Sequence, residues 1–64
     1  MDKYIIYGLD YRQEITILAE EFEADYEIKR VRFMDNHRET IALFNLERIQ
    51  GFVNMSKIER GLMN

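Results

Sequence analysis

Two runs of opposite charge adjoin near the middle of the chain, and their side chains are the ones best equipped for work beyond folding. Residues 10–27 carry seven acidic and one basic side chain, and residues 28–38 carry four basic and one acidic. The acidic group Glu20, Glu21, Glu23, Asp25 and Glu27 has the chemistry to mimic a phosphate backbone, hold a divalent cation or contact a basic protein. Its spacing matches no calcium loop. The plain alternative is a solvated face that keeps a small protein in solution. The basic group Lys29, Arg30, Arg32 and Arg38, with Tyr26 and Phe33 nearby, has the cations and stacking rings that nucleic-acid surfaces combine. A formal net charge of −3 opposes phosphates over the whole molecule. Arg30 and Arg32 are also spaced to pair with carboxylates across a sheet. Nucleic-acid binding through 29–38 is therefore the lesser reading, and a protein partner met through Glu20, Glu21, Glu23 and Asp25 the preferred one.

Nothing in the chain assembles a catalytic constellation. A general base needs a positioned nucleophile and a third group to orient it. The single histidine, His37, falls in an expected turn, where it reads as a solvent-exposed side chain. The only serine, Ser56, is spoken for as a helix cap. Thr16 and Thr40 have no evident partner. There is no cysteine and no glycine-rich phosphate loop. No cofactor or metal is implied, and the protein is expected to be non-catalytic.

At 64 residues the chain is near the lower limit for folding alone, where only roughly 60% of the unfolded chain's surface is buried. Such domains usually add disulfides, a metal or a partner subunit. Without cysteine and with one histidine, association remains, so a homo-oligomer is expected, with a dimer favoured. The start MDKYIIYGLD has an apolar core of four residues, too short for a signal peptide. No stretch approaches the ~20 apolar residues of a membrane span. A cytoplasmic, globular protein is the expectation, with no proline and a third of its residues charged.

The elements that must position these residues centre on Tyr26 to Met55. In Ile41-Ala42-Leu43-Phe44-Asn45, alternation sets Ile41, Leu43 and Asn45 on one face and Ala42, Phe44 and Leu46 on the other. A strand apolar on both faces is expected at the centre of a sheet, covered on both sides. Upstream, Val31 and Phe33 share a face, opposite Arg30, Arg32 and Met34. Ile28 is out of phase with them, which predicts a bulge near Lys29-Arg30 or a late strand start. Asp35-Asn36-His37-Arg38 reads as a hairpin connection. Downstream, Ile49, Val53 and Met55 share a face opposite Gln50 and Asn54, and Gly51 suggests a bulge or a close approach.

Lys3 to Leu9 reads as a strand, with Tyr4 and Ile6 on one face and Ile5 and Tyr7 on the other. Asp10 to Asp25 admits two readings. A helix is favoured by an Asp10 cap and by Ile15, Leu18, Ala19 and Phe22 at helical spacing. A hairpin turning at Asp10-Tyr11-Arg12-Gln13 is favoured by the β-branched run Ile15-Thr16-Ile17, and it is preferred. Ser56-Lys57-Ile58-Glu59 has the pattern of a capping box opening a short helix. Phe52, Ile58 and Leu62 are the candidates for an oligomer interface, although core packing is the preferred reading of Phe52 itself.

The segments AEEFEAD, FMDN and ETIALFNLERIQGF together resemble small β-rich proteins of unknown function encoded by bacteriophages and mobile elements. The likeness rests on Ala19 to Asp25 and Thr40 to Phe52, about a third of the chain. It carries no catalytic residues. It implies a compact sheet and an inhibitor or adaptor role on a host protein. The fold expected is all-β, a small antiparallel meander of four to five strands with a short C-terminal helix. The alternative is α+β, with a helix near 11–24 packed on a three- or four-stranded sheet. The function expected is that of a protein-interaction module, with a purely structural self-assembling protein as a further alternative.

Overall fold

Strand follows strand almost from the first residue in the structure, a computed structural model that describes residues 1–9 and 12–62. The order is β1 (Asp2–Leu9), β2 (Arg12–Ala19), β3 (Glu21–Asp25), β4 (Arg30–Met34), β5 (Thr40–Asn45), β6 (Gly51–Asn54) and α1 (Met55–Leu62). They form two antiparallel three-stranded sheets, ordered β2-β1-β6 and β3-β4-β5. The chain is strand-rich, as expected, with a short C-terminal helix, but the described residues form six strands rather than four or five.

The extra strand comes from a division. Residues 12–25 run on with one interruption, at Glu20, whose N–H donates to the Met34 carbonyl at 2.9 Å. Before that residue the run pairs with β1; after it, with β4. One length of chain thus serves both sheets, as strands do where two sheets turn a corner.

The hairpin reading of residues 10–25 is the correct one, and the helix is not formed. Glu14 to Leu18 lies antiparallel to β1, with Ile17 opposite Tyr4 and Ile15 opposite Ile6. Arg12 and Gln13, expected in the turn, already belong to β2; the expected turn residues Asp10 and Tyr11 lie outside the described residues. Residues 21–24, good helix formers, are extended because the pairing with β4 sets Phe22 and Ala24 opposite Phe33 and Val31. Tertiary pairing outweighs a propensity of tenths of a kcal/mol per residue.

The core lies between the sheets. Tyr4, Ile6, Ile17 and Ala19 come from the first sheet, Val31 and Phe33 from the second, and Ile49 from the loop before β6. Five rings interlock within it. Phe33, fully buried, has Tyr4, Phe52 and Phe44 edge-on at 5.1, 5.4 and 6.0 Å and Phe22 tilted at 6.1 Å. Burial holds the Tyr4 phenol above its ordinary pKa, with Asp2 and Glu21 adding to the effect. Phe52 is partly buried and packs against the core. It stands opposite Ile6, facing inward, where the sequence alternation had put Val53. The phase differs because β6 begins at Gly51, so Ile49 reaches the core from a loop and not from the strand.

Two further expectations are corrected. β5 is not a central strand: β4 is central, and β5 is an edge with Ile41 and Leu43 exposed. Ser56 is not the helix cap. Asn54 is, its Oδ1 accepting the Lys57 N–H at 2.9 Å. Ser56 Oγ instead accepts the Lys3 N–H at 2.8 Å and ties α1 to β1, aided by ion pairs of Lys3 with Glu59 and Asp2 with Arg60. The helix docks by its polar side and leaves Ile58 and Leu62 in solvent.

Candidate interaction surface

The charged runs meet on the outer side of the second sheet. With Ala24, Val31 and Phe33 facing inward and Phe22, still exposed, set on the same side against Phe33 and Phe52, alternation sends Glu21, Glu23 and Asp25 of β3 outward, together with Arg30 and Arg32 of β4. The register sets Glu23 beside Arg32 beside Leu43, and Asp25 beside Arg30 beside Asn45. Arg32 reaches Glu23 at 3.7 Å. Arg38 bridges Glu21 at 3.0 Å and Glu23 at 3.1 Å from the loop beyond β4.

Neither run forms a surface of one sign. Glu20 pairs with the N-terminal amine at 3.3 Å, and Lys29 pairs with Glu47 at 2.7 Å. Asp25 is occupied within its own turn, its Oδ1 accepting the Glu27 and Ile28 N–H groups. That turn places Lys29 at φ 58° and starts β4 at Arg30, the late strand start implied by Ile28. These pairs are exposed, and each contributes little to stability. Their consequence is for recognition: the acids and bases that sequence separates by a few positions are brought together and largely neutralise one another.

Between them lies a concavity of about 430 Å³ lined by Glu23, Asp25, Ile28, Arg30, Arg32, Thr40 and Leu43. Ligand pockets are mainly apolar, with few polar groups. This one has carboxylates and guanidiniums on its walls and two exposed aliphatic side chains, Ile28 and Leu43, at its rim. Arginine beside exposed aliphatics suits contact with a protein surface. Among the described residues, no three His, Cys, Asp or Glu side chains gather in an arrangement able to hold a metal ion, and no helix is long and apolar enough to cross a membrane. His37 is exposed in the 35–39 loop.

That loop is built on Asp35. Its Oδ1 accepts the His37 N–H at 2.8 Å and the Glu39 N–H at 2.9 Å, and its backbone carbonyl accepts the Arg38 N–H at 3.0 Å. The arrangement holds Arg38 at φ 62° and aims its guanidinium at Glu21 and Glu23. The Glu39 N–H, then that of His37, holds the Asp35 carboxyl below its ordinary pKa of 3.8. A lowered carboxylate pKa stabilises the fold fully above the unfolded value, and the contribution is lost as pH falls through the folded value. Asp35→Asn removes the titration while keeping an acceptor oxygen. The difference in urea midpoint between the protein and this variant is expected to stay constant from neutral pH to about 5 and to shrink below about 4. A difference that is flat to pH 2 would show that the loop does not depend on the ionised carboxylate.

No protein-family model matches the chain, and neither a curated protein nor a solved structure matches it.

The free edge of β5 is the feature sequence reasoning missed. Of the four edge strands among the described residues, β2 carries Glu14, β3 carries Glu21, Glu23 and Asp25, and β6 has four residues and runs directly into α1. Charge and brevity are the usual protections of an edge. β5, TIALFN, has neither charge, proline nor glycine over six residues. Its two-faced apolar pattern was the available signal, but that pattern fits a central strand equally well.

Proposed function

We propose that the protein is a non-catalytic interaction module that meets its partner, another copy of itself in the first instance, on the β5 side of the second sheet. One observation carries the reading: β5 is an unprotected edge whose Leu43 and Ile41 remain exposed beside the mixed-charge concavity. An edge of this kind presents unpaired backbone groups to an incoming strand, and native proteins that have no use for such an edge blunt it. The small core supports the same reading, because a chain of this length gains stability readily from a partner surface.

Binding nucleic acid through Lys29, Arg30, Arg32 and Arg38 is less well supported. Three of the four have carboxylates within 4 Å. An acidic docking site at Glu20, Glu21, Glu23 and Asp25 meets the same objection, since each acid already has a cation or a backbone donor.

Light scattering over a concentration series, micromolar to millimolar, tests the proposal. A mass that rises towards twice 7.8 kDa with concentration is the expected result. A mass fixed at the monomer value throughout would remove self-association from the account.

A further inference from the structure

The backbone of the second sheet fixes which groups β5 offers. Leu46 N–H donates to the Lys29 carbonyl at 2.8 Å, one step beyond the Asn45–Arg30 pair. Hydrogen-bonded and non-hydrogen-bonded pairs alternate along an antiparallel ladder. Phe44 and Ala42, two and four residues back, therefore direct their N–H and C=O groups at β4. Leu43 and Asn45 direct theirs to the open side. The Asn45 carbonyl already accepts the Arg48 N–H at 2.9 Å in the following turn. Within the regular stretch Ala42–Asn45, Leu43 is thus the residue at which both a donor and an acceptor face outward with no backbone partner among the described residues; beyond the irregularity Thr40 does the same, since its neighbour Glu39 is bonded to Asp35.

From this we infer that two copies join antiparallel through β5 about a two-fold axis at Leu43, merging their second sheets into one six-stranded sheet. The inference rests on the interaction-module reading and gives it a partner and a register. A two-fold interface must be complementary to itself, and this register satisfies that requirement on both faces. Leu43 meets Leu43 of the second copy on the outer face, each exchanging N–H and C=O. On the inner face Ala42 meets Phe44 and Phe44 meets Ala42, small against large. The neighbouring symmetric registers fit less well. A centre at Phe44 stacks two phenyl rings inside. A centre at Ala42 leaves two methyl groups facing one another and brings the irregularity at Phe33–Met34, where Ile41 is the extra residue of β5, into the middle of the ladder. With Leu43 at the centre, that irregularity falls at the two ends.

Single-cysteine variants test the register, since the natural chain has no cysteine. Residues directly opposite in a hydrogen-bonded antiparallel pair have Cα atoms about 5.5 Å apart, within disulfide range. Leu43→Cys and Leu62→Cys are oxidised side by side in the 64-residue protein. Leu62 is 81% exposed and Leu43 53% exposed, so random collision favours the helix position. The inference predicts the reverse: Leu43→Cys forms a covalent dimer roughly tenfold or more faster, because pairing holds its thiols at an effective concentration far above bulk. A faster Leu62→Cys in a protein that scatters as a dimer would overturn the β5 register and place the contact on the helix, leaving self-association intact. Equal slow rates in a protein that scatters as a monomer would remove both. Leu43→Lys provides a check independent of thiols: it is expected to scatter as a monomer while keeping the far-ultraviolet spectrum of the parent, and a dimeric Leu43→Lys would count against the register.

Discussion

Phe33→Ala is expected to leave the protein largely unfolded at 25 °C. Phe33 is the one ring in contact with the four others of the core cluster, two from each sheet, and its side chain is fully buried. Removing a buried phenyl ring costs about 3–5 kcal/mol, transfer and cavity terms together. At 0.05–0.15 kcal/mol per residue, a chain of this length has roughly 3–10 kcal/mol to lose. The loss is thus comparable with the whole. The sheets cannot readily close on the void, because Tyr4 and Phe52 approach Phe33 from one sheet and Phe22 and Phe44 from the other. Phe33→Leu, which refills most of the space, should fold with a lowered melting temperature. A Phe33→Ala protein with the parent's urea midpoint would mean that the two sheets are not held together by this cluster.

Gly8→Ala is expected to be the most damaging of the three glycine substitutions. Gly8 sits at φ +82°, and an added Cβ would collide with the Gln50 side chain and lie 2.7 Å from the Gln50 backbone nitrogen. That nitrogen donates to the Tyr7 carbonyl at 3.0 Å, the bond that brings the chain back beside β1 before β6. A left-handed conformation costs an L-residue roughly 1–2 kcal/mol on its own, and here the obstructing atom is backbone. The total should reach about 2–4 kcal/mol, within the range of strained sites combined with overpacking. Gly51→Ala meets the end of the Tyr7 ring, which can swing aside, so a smaller loss is expected. Gly61→Ala meets nothing within 4 Å and should stabilise α1 by about 0.5–1 kcal/mol. Urea midpoints in the order Gly61→Ala, parent, Gly51→Ala, Gly8→Ala would bear this out. A Gly8→Ala midpoint equal to the parent's would show that the β1 end is free to rearrange.

Much of the architecture could be read from residue pattern because it depends on local alternation. Tyr4 and Ile6 against Ile5 and Tyr7, Val31 and Phe33 against Arg30 and Arg32, and Ala42 and Phe44 against Leu43 all face as their period of two requires. The β-branched Ile15-Thr16-Ile17 marked the second strand, and the misphased Ile28 marked the turn that holds Lys29 left-handed. What escaped reading depends on contacts distant in sequence. Nothing local in AEEFEAD says that Glu20 hands the chain from one sheet to the other, since its bond is to Met34. Asn54 caps the helix two positions before Ser56, which has the more familiar pattern but is engaged by Lys3 from the other end of the chain.

The candidate surface was legible in its chemistry and not in its arrangement. The acidic and basic runs were visible as runs, and the cross-strand pairing of Arg32 with Glu23 follows from their spacing on adjacent strands. That Arg38 would return from a loop to bridge Glu21 and Glu23 depends on the left-handed turn organised by Asp35. β5 illustrates the limit most clearly. A strand apolar on both sides is either covered or waiting to be covered, and only the strand order distinguishes the two.

The most direct test of that distinction is amide hydrogen exchange, residue by residue, at low and high protein concentration. The account predicts that the Leu43 amide, which points away from β4, exchanges quickly in dilute solution and becomes protected as concentration rises. The amides of β3, at the opposite edge of the same sheet, should keep one rate throughout. Protection at Leu43 that does not change with concentration, or a change confined to α1, would contradict the claim that β5 is the surface through which this protein associates.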